Sequence, residues 1–200
     1  MDKKVAENHK LYTERLELYK GYGYNTLKSR EFFLKQVSPL YGRILDVGTG
    51  KGHMSLALAQ AGYSLVSADI SREEQKFARL NTAYYGLENK VDFMIDDIEA
   101  SSFKDESFDI IVCVCLMHHL KKPLKAVSEL FRILKSKGRI LLTDFSKEGL
   151  DLIAKIHSDE GRVHTATITG LSKIEAYLEK KGIRYKKIKD KFHEILLIQT

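Results

Sequence analysis

The sequence predicts an α/β fold: a three-layer sandwich around a mostly parallel seven-stranded sheet that ends in an antiparallel hairpin, with an N-terminal helical cap. Three observations predict it. From Arg43 onward, short apolar runs alternate with stretches of helical spacing, the pattern of successive strand–helix units. The run FDIIVCVCLM at Phe108–Met117 is apolar on both faces, as a central parallel strand covered by helices must be. Near the end, Arg184–Asp190 and Phe192–Gln199 are two strand patterns with only Lys191 between them, so they pair antiparallel.

The elements follow in order. Two helical patterns split by GYGYN (Gly21–Asn25) precede Arg43 and are expected to cap the carboxyl edge of the sheet, where ligands bind in this architecture. Residues 1–40 form this cap and 41–200 the core of one domain. Arg43–Gly48 is the first strand, followed by a helix from about Gly52 to Gln60, and Ser64–Ile70 is the second. Ser71, with Glu74 three residues on, is a capping box that opens a helix carrying Phe77, Ala78, Asn81 and Tyr84 at helical spacing. Val91–Ile98 and Phe108–Met117 are strands three and four. Pro123 starts a helix with Leu124, Val127, Leu130, Phe131 and Leu134 on its inner face. Gly138–Phe145 is the fifth strand, and a helix over Lys147–His157 leads into a less regular stretch to Thr169. Ser172 and Glu175 read as a second capping box, and Gly182 ends that helix.

Composition bounds the function. Two hundred residues with 44% hydrophobic content supply one domain with a full core. No apolar run approaches the roughly 20 residues of a membrane helix, and MDKKVAENHK lacks the apolar segment of a signal peptide. The two cysteines, Cys113 and Cys115, point to the same face if both lie on a strand and cannot pair. A reduced, cytoplasmic setting is the expectation. The net charge of +6 includes a basic cluster (Lys180, Lys181, Arg184, Lys186, Lys187, Lys189, Lys191). Such a cluster can steer a nucleic acid. A solvated helix end and a lysine-protected edge strand are the preferred reading, because no aromatic RNA-binding signature accompanies the lysines.

The chemistry concentrates at ILDVGTGKGHM (Ile44–Met54). Gly48, Gly50 and Gly52 fall where a strand turns into a helix, so the backbone there can adopt angles closed to other residues and admit a ligand closely. The D-x-G-x-G-x-G spacing differs from the G-x-G-x-x-G of dinucleotide sites. Asp46 is expected to place a carboxylate at the mouth of the loop, which suits a cationic ligand and disfavours a diphosphate. Asp69 ends the second strand 21 residues after Gly48, close to the gap of about 20 at which an acid meets ribose hydroxyls in the related fold. A helix-capping surface aspartate is the competing reading. In the third element, DDIEASSFKDESFD, Asp97 can accept a hydrogen bond from an exocyclic amine.

With these in place the chain resembles the class I S-adenosylmethionine-dependent methyltransferases, closest in pattern to the small-molecule branch that includes the ubiquinone/menaquinone C-methyltransferases. The resemblance covers roughly residues 40–145. LDVGTGKG matches the glycine-rich first motif, Asp69 the ribose-binding acid, and Asp97-Ile98 with Phe103–Asp109 the stretch that meets adenine. CLMHHL (Cys115–Leu120) matches the segment lining the methionine moiety and substrate, and LKSKGRILLTDF the strand-five motif. The resemblance implies a Rossmann-like core and S-adenosylmethionine as cofactor, released as S-adenosylhomocysteine. It implies cofactor contacts from Asp46, Gly48, Thr49, Gly50, Gly52, Asp69, Ile70, Asp97, Ile98 and Cys115. Cys115 stands where relatives carry Asn or Ser, which removes one cofactor hydrogen bond or marks a structural thiol.

His118 and His119 are the candidates for the chemical step, since histidine titrates near neutrality and can deprotonate a hydroxyl, thiol or amine. Shaping the site without acting as a base is the alternative. His157, Glu160 and His164 fall at i, i+3 and i+7, one helix face if the helix continues through Gly161. Substrate contact is preferred there over a metal, and no metal is expected; Arg162 can hold an anionic acceptor. Tyr22 and Tyr24 are lid residues around a cation or core contacts of the cap.

The expected function is methyl transfer to a small-molecule acceptor. An RNA or protein acceptor, using the basic cluster, ranks second, and a cofactor-binding protein without turnover is the reading from a different class. No membrane association is expected. The acceptor, the atom methylated and the oligomeric state, monomer or homodimer, are not encoded legibly.

Overall fold

Short apolar runs make the strands of two units, each with its own core, in a computed structural model that describes residues 2–163, 165–167 and 170–200. The first unit spans Met1–Asp97 and the second Ile98–Thr200. In the first, β1 (Ile44–Val47) is buried along its whole length and pairs in parallel with β2 (Leu65–Asp69), which pairs in parallel with β3 (Val91–Ile95). Helices α3 (His53–Gln60) and α4 (Arg72–Tyr84) follow β1 and β2. As the capping box requires, Ser71 Oγ accepts from Glu74 N at 3.2 Å.

The chain before β1 forms α1 (Lys3–Gly21) and α2 (Thr26–Val37), broken at the expected GYGYN. Asp2 and Asn25 cap them, accepting from Lys4 N and Lys28 N. Both helices pack on the helical layer, α1 against α4 and α2 against α3. Asn8 Nδ2 donates to Asn81 Oδ1 at 2.7 Å, and the His9 ring stacks on Tyr84 at 3.4 Å. The helices therefore brace α3 and α4. Contact with the glycine-loop end comes through Asn81, whose Nδ2 donates to Lys51 O, and through the Tyr12 ring, 5.2 Å from that of His53.

The second unit contains β4 (Phe108–Val114), α5 (Pro123–Ile133), β5 (Leu134–Phe145), α6 (Lys147–Asp159), α7 (Ser172–Lys180), β6 (Tyr185–Lys189) and β7 (His193–Gln199). β4 and β5 are parallel, whereas β7 runs antiparallel to both β5 and β6. Together the seven strands are the mostly parallel sheet with a closing hairpin that the sequence predicts.

Three local expectations are corrected. β4 stops at Val114, and Cys115 takes φ +53, so Cys113 and Cys115 do not share a strand face. β5 begins at Leu134 rather than Gly138, because Phe108 pairs with Leu134 before the register shifts to Ile110↔Arg139. At α7, Ser172 is already helical and no side chain of the N-cap Leu171 closes the turn. From β7, Glu194 Oε2 accepts instead from the backbone N–H of the N-cap residue Leu171, at 2.8 Å.

The start of α6 packs tightly on the hairpin turn. A Cβ on Gly149 would stand 2.2 Å from Phe192 O and 3.0 Å from Phe145 Cδ1. Gly149→Ala is therefore expected to destabilise the protein by about 1–3 kcal/mol through overpacking, read as a lowered thermal midpoint. An unchanged midpoint would contradict this packing.

Candidate cofactor site and catalytic residues

The loop after β1 is fastened to the end of β2. Gly48, Gly50 and Gly52 have φ of +80, +49 and +83, which explains glycine at each. Gly48 N and Thr49 N donate to Ala68 O at 2.8 and 3.2 Å, and Gly50 N to Asp69 Oδ2 at 2.8 Å. Asp69 Oδ1 accepts from Ser71 N, also at 2.8 Å. Asp69 thus joins loop, strand and helix, and its carboxyl oxygens retain further lone pairs for a ligand hydroxyl.

The surface beside it is open and apolar. Ile70 is 67% exposed, and Met94 and Ile95 at the end of β3 are exposed as well. A Cβ built on Gly50 meets nothing within 4 Å. An approachable loop, a strand-end acid and an exposed apolar floor fit a nucleoside. Asp97, also exposed, lies two residues past β3.

Asp46 is placed differently from the expectation. Its carboxylate is 1% exposed, and Oδ2 accepts from Ser55 Oγ and from Ser67 Oγ, the latter at 3.0 Å. The carboxylate faces inward beneath the loop and is not at its mouth. Burial raises its pKa to about 6 against the pull of the two hydroxyls and the Arg30 charge, and Asp69 raises it further. Nearby His53 has its pKa lowered to about 3, by burial first and then by Arg30, Lys51 and Arg15. Its ring is neutral. Tyr24 is buried with its ring 6.0 Å from that of Tyr19, a core position, while Tyr22 at the end of α1 is half-buried.

In the second unit, the turn after β4 holds Cys115, His118 and His119. Cys115 N donates to Thr143 O at 2.8 Å, and the residue is held in the left-handed region without being glycine, a form of strain that concentrates at functional sites. His118 is buried, and its Nδ1–H donates to Asp144 Oδ1 at 2.5 Å while its backbone N–H donates to Asp144 Oδ2 at 2.9 Å. Phe145 N adds a third bond to that carboxylate. The His119 ring lies 4.0 Å from that of His118 and is exposed. Desolvation, then the electrostatic influence of the adjoining His118 ring, lowers its pKa to about 4. Asp144 carries no role in the sequence reading, although LLTDF contains it. Its partner comes from a turn 26 residues away, which the motif does not show.

Ile98, also in this unit, is buried in a short 3₁₀ turn. α6 ends at Asp159 with Glu160 as its C-cap and Gly161 at φ +69, so the helix face carrying His157 and Glu160 does not continue through Gly161. Arg162 pairs with Glu160. His164 lies outside the described residues. Among the described residues, no group of three or more His, Cys, Asp or Glu side chains is placed to hold a metal, and no helix is long and apolar enough to cross a membrane. Within the basic cluster, Lys187 pairs with Glu175 and Lys189 with Glu194.

Residues 45–142 match the model of a methyltransferase domain family. Over 102 residues the chain is 39% identical to the uncharacterized methyltransferase YcgJ of Bacillus subtilis, covering 51% of this chain and 40% of that protein. It is 34% identical to a demethylmenaquinone methyltransferase of Clavibacter sepedonicus, covering 60% and 49%. The chain thus spans about half or less of the length of these relatives. The crystal structure of B. subtilis YcgJ aligns with a TM-score of 0.62 at 28% identity over 82% of this chain and 70% of that one. A SAM-dependent methyltransferase structure from Aquifex aeolicus aligns over 100% and 98% with a TM-score of 0.68; at 22% identity it speaks for the fold.

Proposed function

We propose that the chain is a class I S-adenosylmethionine-dependent methyltransferase, a reading supported by its match to a methyltransferase domain over residues 45–142, and that it transfers the methyl group of S-adenosylmethionine to a small-molecule acceptor. The observation that carries the reading is the positive-φ glycine loop pinned by Asp69 beside the exposed Ile70. The relatives named as quinone-biosynthesis methyltransferases support an acceptor of small-molecule size.

The bound cofactor supplies a methyl group already activated on a sulfonium, so the protein's tasks are alignment and exclusion of water. Asp69 would hold the ribose, Ile70 the adenine face and Asp97 the adenine amine, with the backbone of Gly48–Gly52 against the methionine portion. Asp46 acts from beneath the loop. Asp144 fixes His118 with the proton on Nδ1, which leaves Nε2 as the basic nitrogen of that ring. His119 is neutral at physiological pH. The His157–Arg162 segment and Tyr22 are the residues assigned to the acceptor side.

The test is incubation with methyl-labelled S-adenosylmethionine and a cell extract divided into small-molecule, RNA and protein fractions. Label is expected in the small-molecule fraction. Label confined to RNA would overturn the acceptor class, and absence of label in every fraction would favour a cofactor-binding protein without turnover.

A further inference from the structure

Beneath the glycine loop runs a continuous line of buried polar side chains that the cofactor contacts do not account for. Asp46, Ser55, Ser67, Thr49 and Gln75 come from β1, α3, β2, the loop and α4, and each is at most 5% exposed. Gln75 Nε2 donates to Met94 O at 2.7 Å and reaches Thr49 Oγ1 and Ser67 O at 3.3 Å each. Thr49 Oγ1 lies 2.6 Å from Ser67 Oγ, and Ser67 and Ser55 both donate to Asp46 Oδ2.

The protons in this line can be assigned. The Met94 carbonyl accepts only, so the Gln75 amide must present N–H groups on this side, and one of them meets Thr49 Oγ1. Thr49 therefore accepts from Gln75 and gives its own proton to Ser67. Ser67, having accepted, gives its proton to Asp46. Ser55 gives its proton to the same oxygen, so the 2.9 Å approach of Ser55 to Ser67 is a contact between two hydroxyls whose protons are already committed. Every hydroxyl proton in the line points toward Asp46. The order cannot be reversed without turning a hydroxyl proton of Thr49 against the N–H of Gln75.

We infer that Ser55, Ser67, Thr49 and Gln75 are positioning residues that suspend the glycine loop from the ionised Asp46 carboxylate, and that this line sets the loop's affinity for the cofactor. Thr49 is the link between line and loop, since its backbone N–H is bonded to Ala68 O while its side chain is bonded below. The other charged groups acting on Asp46 are Arg30 from α2 and Asp69 from the end of β2. The inference rests on the methyltransferase reading for the identity of the ligand and on the geometry for the rest.

Two measurements on the full chain test it. Calorimetry with S-adenosylhomocysteine is expected to show about tenfold weaker binding for Ser67→Ala and Thr49→Val, the effect of one lost buried hydrogen bond, with Thr49→Ser restoring affinity. Amide hydrogen exchange at Gly48–Gly50, measured without ligand, is expected to accelerate in the same two variants and return to normal in Thr49→Ser. Wild-type affinity and wild-type protection in both variants would overturn the inference. If the wild type bound no S-adenosylhomocysteine while exchange rose as described, the line would stand and the methyltransferase reading would fall.

Discussion

Gly52→Ala is expected to cost both the fold and the cofactor site, whereas Gly50→Ala falls chiefly on the cofactor site. A Cβ on Gly52 would stand 2.8 Å from Ala78 Cβ and 3.0 Å from its Cα, at a φ of +83. The neighbour is α4 itself, which is braced by α1 and cannot simply yield. Overpacking together with a strained backbone is expected to destabilise by about 2–4 kcal/mol. At Gly50 the φ is +49 and the added Cβ meets open space, so only the backbone penalty of about 1 kcal/mol applies. In the proposed cofactor placement, that open space is where the ligand comes closest to the main chain. Thermal unfolding and calorimetry with S-adenosylhomocysteine on both variants separate the two roles. Equal unfolding midpoints for the two would contradict the close approach of α4 to the loop.

The second large effect concerns Asp46. A buried carboxylate whose pKa stands at about 6 instead of 3.8 binds its proton more tightly in the folded chain than in the unfolded one. Its contribution to stability is therefore fully present below about pH 4 and lost as pH rises through about 6. At pH 8 the ionised group costs up to about 3 kcal/mol, taking 1.36 kcal/mol per pKa unit. Asp46→Asn keeps an acceptor for Ser55 and Ser67 and removes the charge. It is expected to unfold at a higher temperature than the wild type at pH 8, by at most about 12 °C for a chain of this size, with the difference vanishing near pH 4. The same change is expected to weaken cofactor binding, because the line below the loop loses its charged anchor. Stability and function then move in opposite directions, as at many binding sites. A pH-independent difference between the two proteins would contradict the burial of an ionised group at this position.

The glycine loop and the strand-end acid were legible in the sequence for a local reason. Positive φ at Gly48, Gly50 and Gly52 and the bond from Gly50 N to Asp69 follow from a strand–turn–helix unit whose residue types announce themselves. The direction of the Asp46 side chain was not legible, because it is decided by Ser55 and Ser67, one on the following helix and one on the neighbouring strand. Spacing alone placed the carboxylate at the mouth of the loop. Asp144 escaped for the same reason: it lies in an apolar run that reads as core, and the His118 turn reaches it through the β4–β5 pairing. At α7 the S-x-x-E pattern was present and the local rule was overridden, since the helix starts one residue earlier at the N-cap Leu171, whose backbone N–H is taken by Glu194 on β7. Residues with a fixed backbone requirement could be read from the chain; buried polar residues needed their partners in space.

The claim on which the rest depends is that the loop of Gly48–Gly52, with Asp69 and Ile70, holds the nucleoside of S-adenosylmethionine. Isothermal titration of the wild-type protein with S-adenosylhomocysteine and, separately, with NAD tests it most directly. Saturable one-to-one binding of S-adenosylhomocysteine and no heat of binding with NAD is the predicted result. Binding of NAD without binding of S-adenosylhomocysteine would contradict it.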